Sequence, residues 1–261
     1  MLLHYSYKGS DSLDGEAPSV ILLHGLFGMG DNLGMVAKPL IEKYHVYSLD
    51  LRNHGRSFRA ESMTFSDMAE DVVQFMDKLD ISSAFFIGHS LGGKVAMQVA
   101  LQSPERVSKL VVADIAPVAY AGSHDDVFAG LRAVDLNLIN SRRQAETILR
   151  DYIADAGVRL FLMKSLYRND QGKFAWRMNI QSLEACYEQL RSANESEDPF
   201  DGPTLFIKGE QSSYITERHR GAIVNSFPSA KVKIIQNTGH WLHAEKTVAF
   251  NRLVNNFFEE R

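Results

Sequence analysis

Only one cysteine, Cys186, occurs in the 261 residues, so no internal disulfide can form. A chain of this kind suits a reducing compartment, and the lone thiol reads as a small buried apolar residue. No run of eighteen apolar residues is present, and Met1–Ser10 lacks the charged-then-apolar layout of a secretory leader. These two absences argue against a membrane span and predict a cytoplasmic protein. A basic excess is missing as well. The 28 Lys and Arg against 32 Asp and Glu give a net charge of −4, which offers no electrostatic footprint for nucleic acid. Internal repeats and low-complexity tracts are absent, and nothing in the sequence sets an oligomeric state. The remainder is ordinary for a globular protein, 45% apolar and 23% charged, and long enough for one large domain or a core with an inserted subdomain.

What is present is a rhythm. Leu2–Lys8 alternates loosely and predicts an edge strand, followed by a polar, Gly- and Pro-bearing turn over Asp11–Pro18. Val20–Leu23 is a continuous apolar run, as expected of a parallel strand covered on both faces, and it enters His24-Gly25-Leu26-Phe27-Gly28. A helix is expected over about 32–43 and a strand over Tyr44–Leu49, ahead of Asp50-Leu51-Arg52-Asn53-His54-Gly55-Arg56-Ser57. From Phe65 onward, Met68, Val72, Phe75, Met76 and Leu79 share one helical face, with Thr64 as N-cap. Further strands are expected at Ala84–Ile87 and Leu110–Ala113, the second closing on Asp114. Strand and helix in alternation, with apolar strands, predict an α/β protein on a mostly parallel, doubly wound sheet.

Between residues 115 and 200 the rhythm stops. That stretch is too long for a connection, has several helical periods, clearest at Val127–Val134, Ala145–Ala154 and Ile180–Leu190, and has no strand pattern. Leu205–Ile207 and Val232–Ile235 resume the strands, and a last helix is expected over Lys246–Glu259. The chain therefore divides into a core, residues 1–114 and 201–261, and a helical insertion, residues 115–200.

Chemistry concentrates in Gly88-His89-Ser90-Leu91-Gly92. Gly-x-Ser-x-Gly alone is a weak signal, arising by chance in about one chain in ten of this size. Here it follows a strand pattern and precedes a helix pattern, the context that holds a serine on a sharp turn with Oγ exposed above the sheet edge. Ser90 is therefore the candidate nucleophile, against the plain reading of a surface-turn serine. A serine hydroxyl needs a base. Among nine histidines the candidate is His240, because Asn237-Thr238-Gly239-His240-Trp241 directly follows the last strand and returns to the strand ends. His243 adds a second imidazole without a third ligand, so no metal is expected.

The acid that orients the base is ordinarily sought after Leu205–Ile207. There the sequence reads Gly209-Glu210-Gln211-Ser212, and aspartate is missing. Asp114, at the end of the preceding strand, reaches the same edge and keeps the order Ser, Asp, His. Glu210 as the acid, and a substrate-binding role for Asp114, stay open as alternatives. Backbone donors for a tetrahedral oxyanion are expected at Leu26 and Leu91. His24, His54 and His89 read as turn histidines bonded to nearby backbone, Arg56 as structural, and Gly55 as part of a tight turn. Trp176 and Arg177 either border the pocket or pack as an aromatic beside a surface cation.

Together these blocks resemble the α/β-hydrolase fold superfamily and, more narrowly, the bacterial YbfF-type esterases, over nearly the whole chain. The broad likeness rests on His24-Gly-Leu-Phe-Gly28, Asp31-Asn-Leu-Gly34, the Asp50–Ser57 block and Gly88-His-Ser-Leu-Gly-Gly-Lys94. The narrower likeness rests on Asp114-Ile-Ala-Pro-Val118 and Gly239-His-Trp-Leu-His-Ala-Glu-Lys246. The resemblance implies a helical cap inserted after the sixth strand and no cofactor. It also implies a small-molecule substrate, either a short- to medium-chain acyl ester or an acyl-CoA thioester. Asp114 is implicated in catalysis or substrate binding. An arginine that meets substrate in relatives has no match near Ser123 and His124, and His124 and Trp176 stand as the candidate substrate contacts. Carbon–carbon bond hydrolysis is an alternative reaction on the same site. A non-catalytic small-molecule-binding protein on this fold is the alternative of a different class.

Overall fold

A computed structural model describes residues 1–13 and 17–260. Of the turn expected over Asp11–Pro18, Asp11 and Ser12 do form a turn, and residues 14–16 lie outside the described residues. The chain then alternates through β1 (Tyr5–Lys8), β2 (Ser19–Leu23), α1 (Gly34–Ala37), β3 (His45–Leu49), α2 (Phe65–Lys78), β4 (Ala84–His89), α3 (Leu91–Gln102) and β5 (Val107–Ala113). The next segment carries α4 (Asp125–Ala133), α5 (Arg142–Arg150), α6 (Ala156–Met163), a hairpin of β6 (Leu166–Arg168) and β7 (Phe174–Trp176), α7 (Ile180–Ala185) and α8 (Tyr187–Leu190). It is followed by β8 (Thr204–Gly209), α9 (Arg220–Ser226), β9 (Ala230–Ile235), α10 (Leu242–Glu245) and α11 (Thr247–Glu259).

Seven strands form one sheet in the order β1-β3-β2-β4-β5-β8-β9. All pairings are parallel except that of β1 with β3 at one edge. Side chains alternate across a strand, so a strand covered on both faces must be apolar throughout. Ile21, Leu23, Phe86, Leu110, Val112 and Phe206 pack with α2 and α3, whereas Val20, Leu22, Ile87, Val111, Leu205 and Ile207 pack with α1 and α11. Each of these side chains is almost wholly buried, and each contributes about 1.5–3 kcal/mol by leaving water. Two helical layers on one sheet are thus required by the apolar runs themselves. α2 begins where Thr64 Oγ1 accepts from Asp67 N and the Asp67 carboxylate returns to Thr64 N, a reciprocal cap, and its buried stripe includes Met68, Val72, Phe75 and Met76.

Three expectations need correction. The helix expected over 32–43 is only a 3₁₀ turn at Gly30–Leu33 and the single turn of α1, because Pro39 has no N–H to continue it. The segment between β5 and β8 contains the β6–β7 hairpin, whose strands of three residues are too short to display alternation. The segment is otherwise helical as expected; beside the three clearest periods it includes α6, where Ala156-Gly157-Val158 and the apolar run Leu160–Met163 leave little polar face to mark a helical period. Finally, the sheet has contributed five strands when this segment departs, not the six implied by the resemblance.

Candidate active site

β4 passes into α3 through Ser90 alone, which takes φ 53° and ψ −118°. A non-glycine residue is strained there. Ser90 N donates to Ala113 O at 3.0 Å, and Lys94 N donates to Ser90 O at 3.0 Å. The motif glycines let three backbones meet: a Cβ on Gly88 would lie 2.2 Å from Gly92 O, and one on Gly92 would lie 2.2 Å from Leu23 O. The hydroxyl of Ser90 therefore stands on a turn that few other residue types could close.

His240 sits on the loop between β9 and α10. Its Nε2 lies 3.0 Å from Ser90 Oγ, and its Nδ1 lies 2.7 Å from Asp114 Oδ2. Asp114 is the first residue after β5, has φ 53°, and is wholly buried. A buried carboxylate must be supplied with donors. Gly209 N donates to Oδ1 at 3.0 Å, while the Ser212 hydroxyl and His240 Nδ1–H both donate to Oδ2. With the imidazole proton on Nδ1, Nε2 is left as the acceptor for the serine hydroxyl. Tyr214 stacks on the imidazole, ring centroids 4.0 Å apart and planes at 23°, and its own N–H donates to Ser212 Oγ. One short stretch after β8 thus serves both the carboxylate and the imidazole. Glu210 does not meet His240; its Oε2 accepts from Asn237 N at 2.8 Å.

Leu91 is the first residue of α3, and no carbonyl of its own helix accepts its N–H. Leu26, on the loop after β2, lines the same cavity as Ser90. Two histidines shape that loop. Phe27 N donates to His54 Nε2 at 3.2 Å, and Leu51 N donates to His24 Nε2 at 3.1 Å. Their Nδ1–H groups donate to the carbonyls of Arg52 and Gly25. Each histidine bonds nearby backbone, as its turn reading requires, and also accepts an amide from the other's loop. Burial holds both rings neutral, His24 below its ordinary value and His54 down to about 3. His89 donates from Nε2 to His240 O at 2.9 Å, and burial followed by the neighbouring His243 and His240 keeps it well below the usual imidazole range.

Above these groups is a cavity of about 770 Å³. Ser90, His240, Leu26, Phe27, His124, Val127 and much of α6 line it. Asp155, Glu245 and Lys164 supply its charged lining. His124 has Nδ1 2.6 Å from Tyr187 Oη, and burial pushes its pKa down to about 4, so the ring is neutral. Trp176 does not line this cavity. It pairs with Leu166 in the hairpin and is 7% exposed, its ring spent on the apolar interior of the insertion. Arg177 stacks its guanidinium over Tyr167, 4.2 Å from the ring centroid. Arg56 is exposed, and Gly55 has φ 53° with its missing Cβ position occupied by Asp50. Cys186 is buried, with Sγ donating to Glu61 O. Among the described residues no group of three or more His, Cys, Asp or Glu could hold a metal ion, and no helix is long and apolar enough to cross a membrane.

Sequence reasoning missed three groups at this site: the Ser212 hydroxyl, the Tyr214 ring and the Glu245 carboxylate. A serine standing in the vacant aspartate position was the one available signal for Ser212. Tyr214 had none, and Glu245 stood only as a member of the Gly239–Lys246 block with no role attached to it.

A parallel sheet whose strand-to-helix elbow carries the serine defines a class, and the chain belongs to it: the family model described as alpha/beta hydrolase fold matches residues 18–247. Within that family it groups with the YbfF-type esterases. It is 38% identical over 242 residues to esterase YbfF of Escherichia coli, covering 92% of this chain and 93% of that protein. To the sn-1-specific diacylglycerol lipase ABHD11 of Mus musculus it is 35% identical over 255 residues, covering 94% and 83%. A solved structure of a marine microorganism esterase superposes with a TM-score of 0.93 at 38% identity, over 98% of this chain and 99% of that one.

Proposed function

We propose that the protein is a serine carboxylesterase that hydrolyses short- to medium-chain acyl esters through an acyl-enzyme. The observation that carries this reading is the unbroken line from Ser90 Oγ through His240, both lining the cavity, to the buried Asp114. Ser90 attacks the acyl carbonyl while His240 Nε2 takes its proton, and Asp114 holds the imidazole and the charge it acquires. The N–H groups of Leu26 and Leu91 receive the developing oxyanion. His240 then returns the proton to the departing alcohol. A water molecule, deprotonated by the same nitrogen, attacks the acyl-enzyme and releases the acid. Ser212 keeps the carboxylate supplied with a donor throughout.

Residues 115–200 act as a cap in this reading, with α6 forming the wall that meets the acyl chain and excludes water. Relatives named as an esterase and a diacylglycerol lipase support an ester substrate. The charged lining favours esters over acyl-CoA: two carboxylates, Asp155 and Glu245, face a single ammonium, Lys164, whereas a coenzyme A phosphate needs cations. A single cysteine and the lack of a membrane-length helix among the described residues are in keeping with a cytoplasmic location.

The test is hydrolysis of p-nitrophenyl butyrate by wild type and Ser90→Ala. Wild type should release a burst of p-nitrophenol followed by turnover, and Ser90→Ala should do neither. Normal turnover by Ser90→Ala would sink the proposal.

A further inference from the structure

We propose that Glu245 is a positioning residue for the base: its carboxylate fixes the backbone on both sides of His240. This inference rests on His240 acting as the base in the reaction proposed above. The loop from β9 to α10 is irregular, so its N–H groups have no ladder or helix to satisfy them. Glu245, at the end of α10, reaches back across the loop. Oε2 accepts from Gly239 N at 2.8 Å and Oε1 accepts from Trp241 N at 3.2 Å. These are the two amides that flank residue 240. The carbonyl of residue 240 is held separately, by His89 Nε2–H at 2.9 Å.

The requirement on this backbone is severe. The imidazole must present Nε2 to Ser90 at 3.0 Å and Nδ1 to Asp114 at 2.7 Å at once. Ser90 and Asp114 are anchored to adjacent strands β4 and β5, but His240 hangs from a loop. Displacement of a catalytic group by about 1 Å costs about 10²-fold in rate. Bonds from a carboxylate to two amides are charge-assisted and forked, which sets position and orientation together. Glu210 performs the same task earlier in the loop, accepting from Asn237 N, but it does not touch the amides next to His240. Glu245 also lines the cavity, with its two carboxylate oxygens turned to the amides of Gly239 and Trp241.

The experiment compares wild type, Glu245→Ala and Glu245→Gln as full chains with p-nitrophenyl butyrate, alongside thermal unfolding and titration of Ser90 by a fluorophosphonate. Glu245→Ala removes both acceptors and should lower kcat about tenfold, equivalent to about 1.4 kcal/mol, with KM changed less than about twofold. Its rate of fluorophosphonate labelling should fall in parallel, since that step also needs the base. Glu245→Gln keeps one acceptor oxygen and should retain an intermediate kcat, a partial rescue that a general loss of stability would not produce. Unchanged kcat in Glu245→Ala, or a loss confined to KM, overturns the proposal. If Glu245→Ala does not fold, Glu245→Gln decides, and wild-type kcat in it overturns the proposal. Absence of turnover by wild type refutes the esterase reading instead, so the two failures are distinguishable.

Discussion

Replacing Asp114 by asparagine keeps the volume of a wholly buried side chain and changes only its donors and acceptors. The native carboxylate receives three donors, Gly209 N on Oδ1 and both Ser212 Oγ and His240 Nδ1 on Oδ2. An asparagine must point its NH₂ toward one of those sides. Toward Gly209 it would oppose a backbone N–H that cannot turn away. Toward His240 the Ser212 hydroxyl can rotate to accept one proton, so this orientation is preferred. His240 Nδ1 must then become an acceptor, which puts the ring proton on Nε2, against Ser90. The base is present and in place but in the wrong tautomer. The expected outcome is a fall in kcat of about 10⁴, or about 5.4 kcal/mol, with KM little changed. The lost charged hydrogen bonds should also lower stability by about 1–3 kcal/mol. Steady-state hydrolysis of p-nitrophenyl butyrate, with the melting temperature measured on the same samples, tests this. A raised KM with kcat retained would make Asp114 a substrate contact and refute the tautomer argument.

Three further outcomes follow from the same geometry. His240→Ala should lower kcat as much as Ser90→Ala, by about 10⁶, because the two act as a unit; a loss of only tenfold in single-turnover hydrolysis would contradict the assignment. Since the Ser212 hydroxyl lies against Asp114 Oδ2, the double variant Asp114→Ala with Ser212→Asp should recover at least about tenfold in kcat over Asp114→Ala alone, and no recovery would show that position 212 cannot reach the imidazole. His24, His54, His89 and His243 are buried and held neutral with lowered pKa values, whereas an unfolded histidine titrates near 6.5. The unfolded state therefore binds more protons as pH falls below about 6.5, and each group removes up to about 1.4 kcal/mol of stability per pH unit until its own folded value is reached. Calorimetric melting temperatures should drop steeply between pH 6.5 and pH 4.5, and a flat profile there would exclude neutral buried imidazoles.

The parts of the site that were legible in the sequence are those whose constraints are local. Ser90 was visible because the apolar strand, the two glycines and the helix that follow one another in sequence are also what the elbow requires in space. His240 was visible through its place after the last strand. Asp114 was reached only by default, from a vacancy at position 212, and its contacts with Gly209 and Ser212 join residues about a hundred positions apart. Tyr214 and Glu245 gave no signal of their roles because an aromatic ring and a surface glutamate are ordinary residues until the fold sets them against His240 or its flanking amides. Trp176 was misjudged for a related reason: an indole suits the wall of a pocket and the interior of a hairpin equally well, and only the β6–β7 pairing decides. The segment between β5 and β8 stands out in the sequence by the loss of a pattern, which reveals neither the hairpin nor α6.

The difficulty over the acid has a deeper physical source. At the carboxyl edge of this sheet every loop leaves its strand with backbone N–H groups to satisfy, and carboxylates placed just after the strands satisfy them. Asp50, after β3, accepts from Gly30 N and Arg56 N and also meets His4 Nδ1 at 3.1 Å. Asp114, after β5, accepts from Gly209 N; Glu210, after β8, accepts from Asn237 N. In sequence the three look alike, and Asp50 is buried like Asp114 and likewise meets an imidazole, that of His4. In this sheet a strand-terminal carboxylate is therefore a means of closing loops, from which the proposed acid differs by a single further contact. Asp114 alone among them touches the imidazole that reaches Ser90.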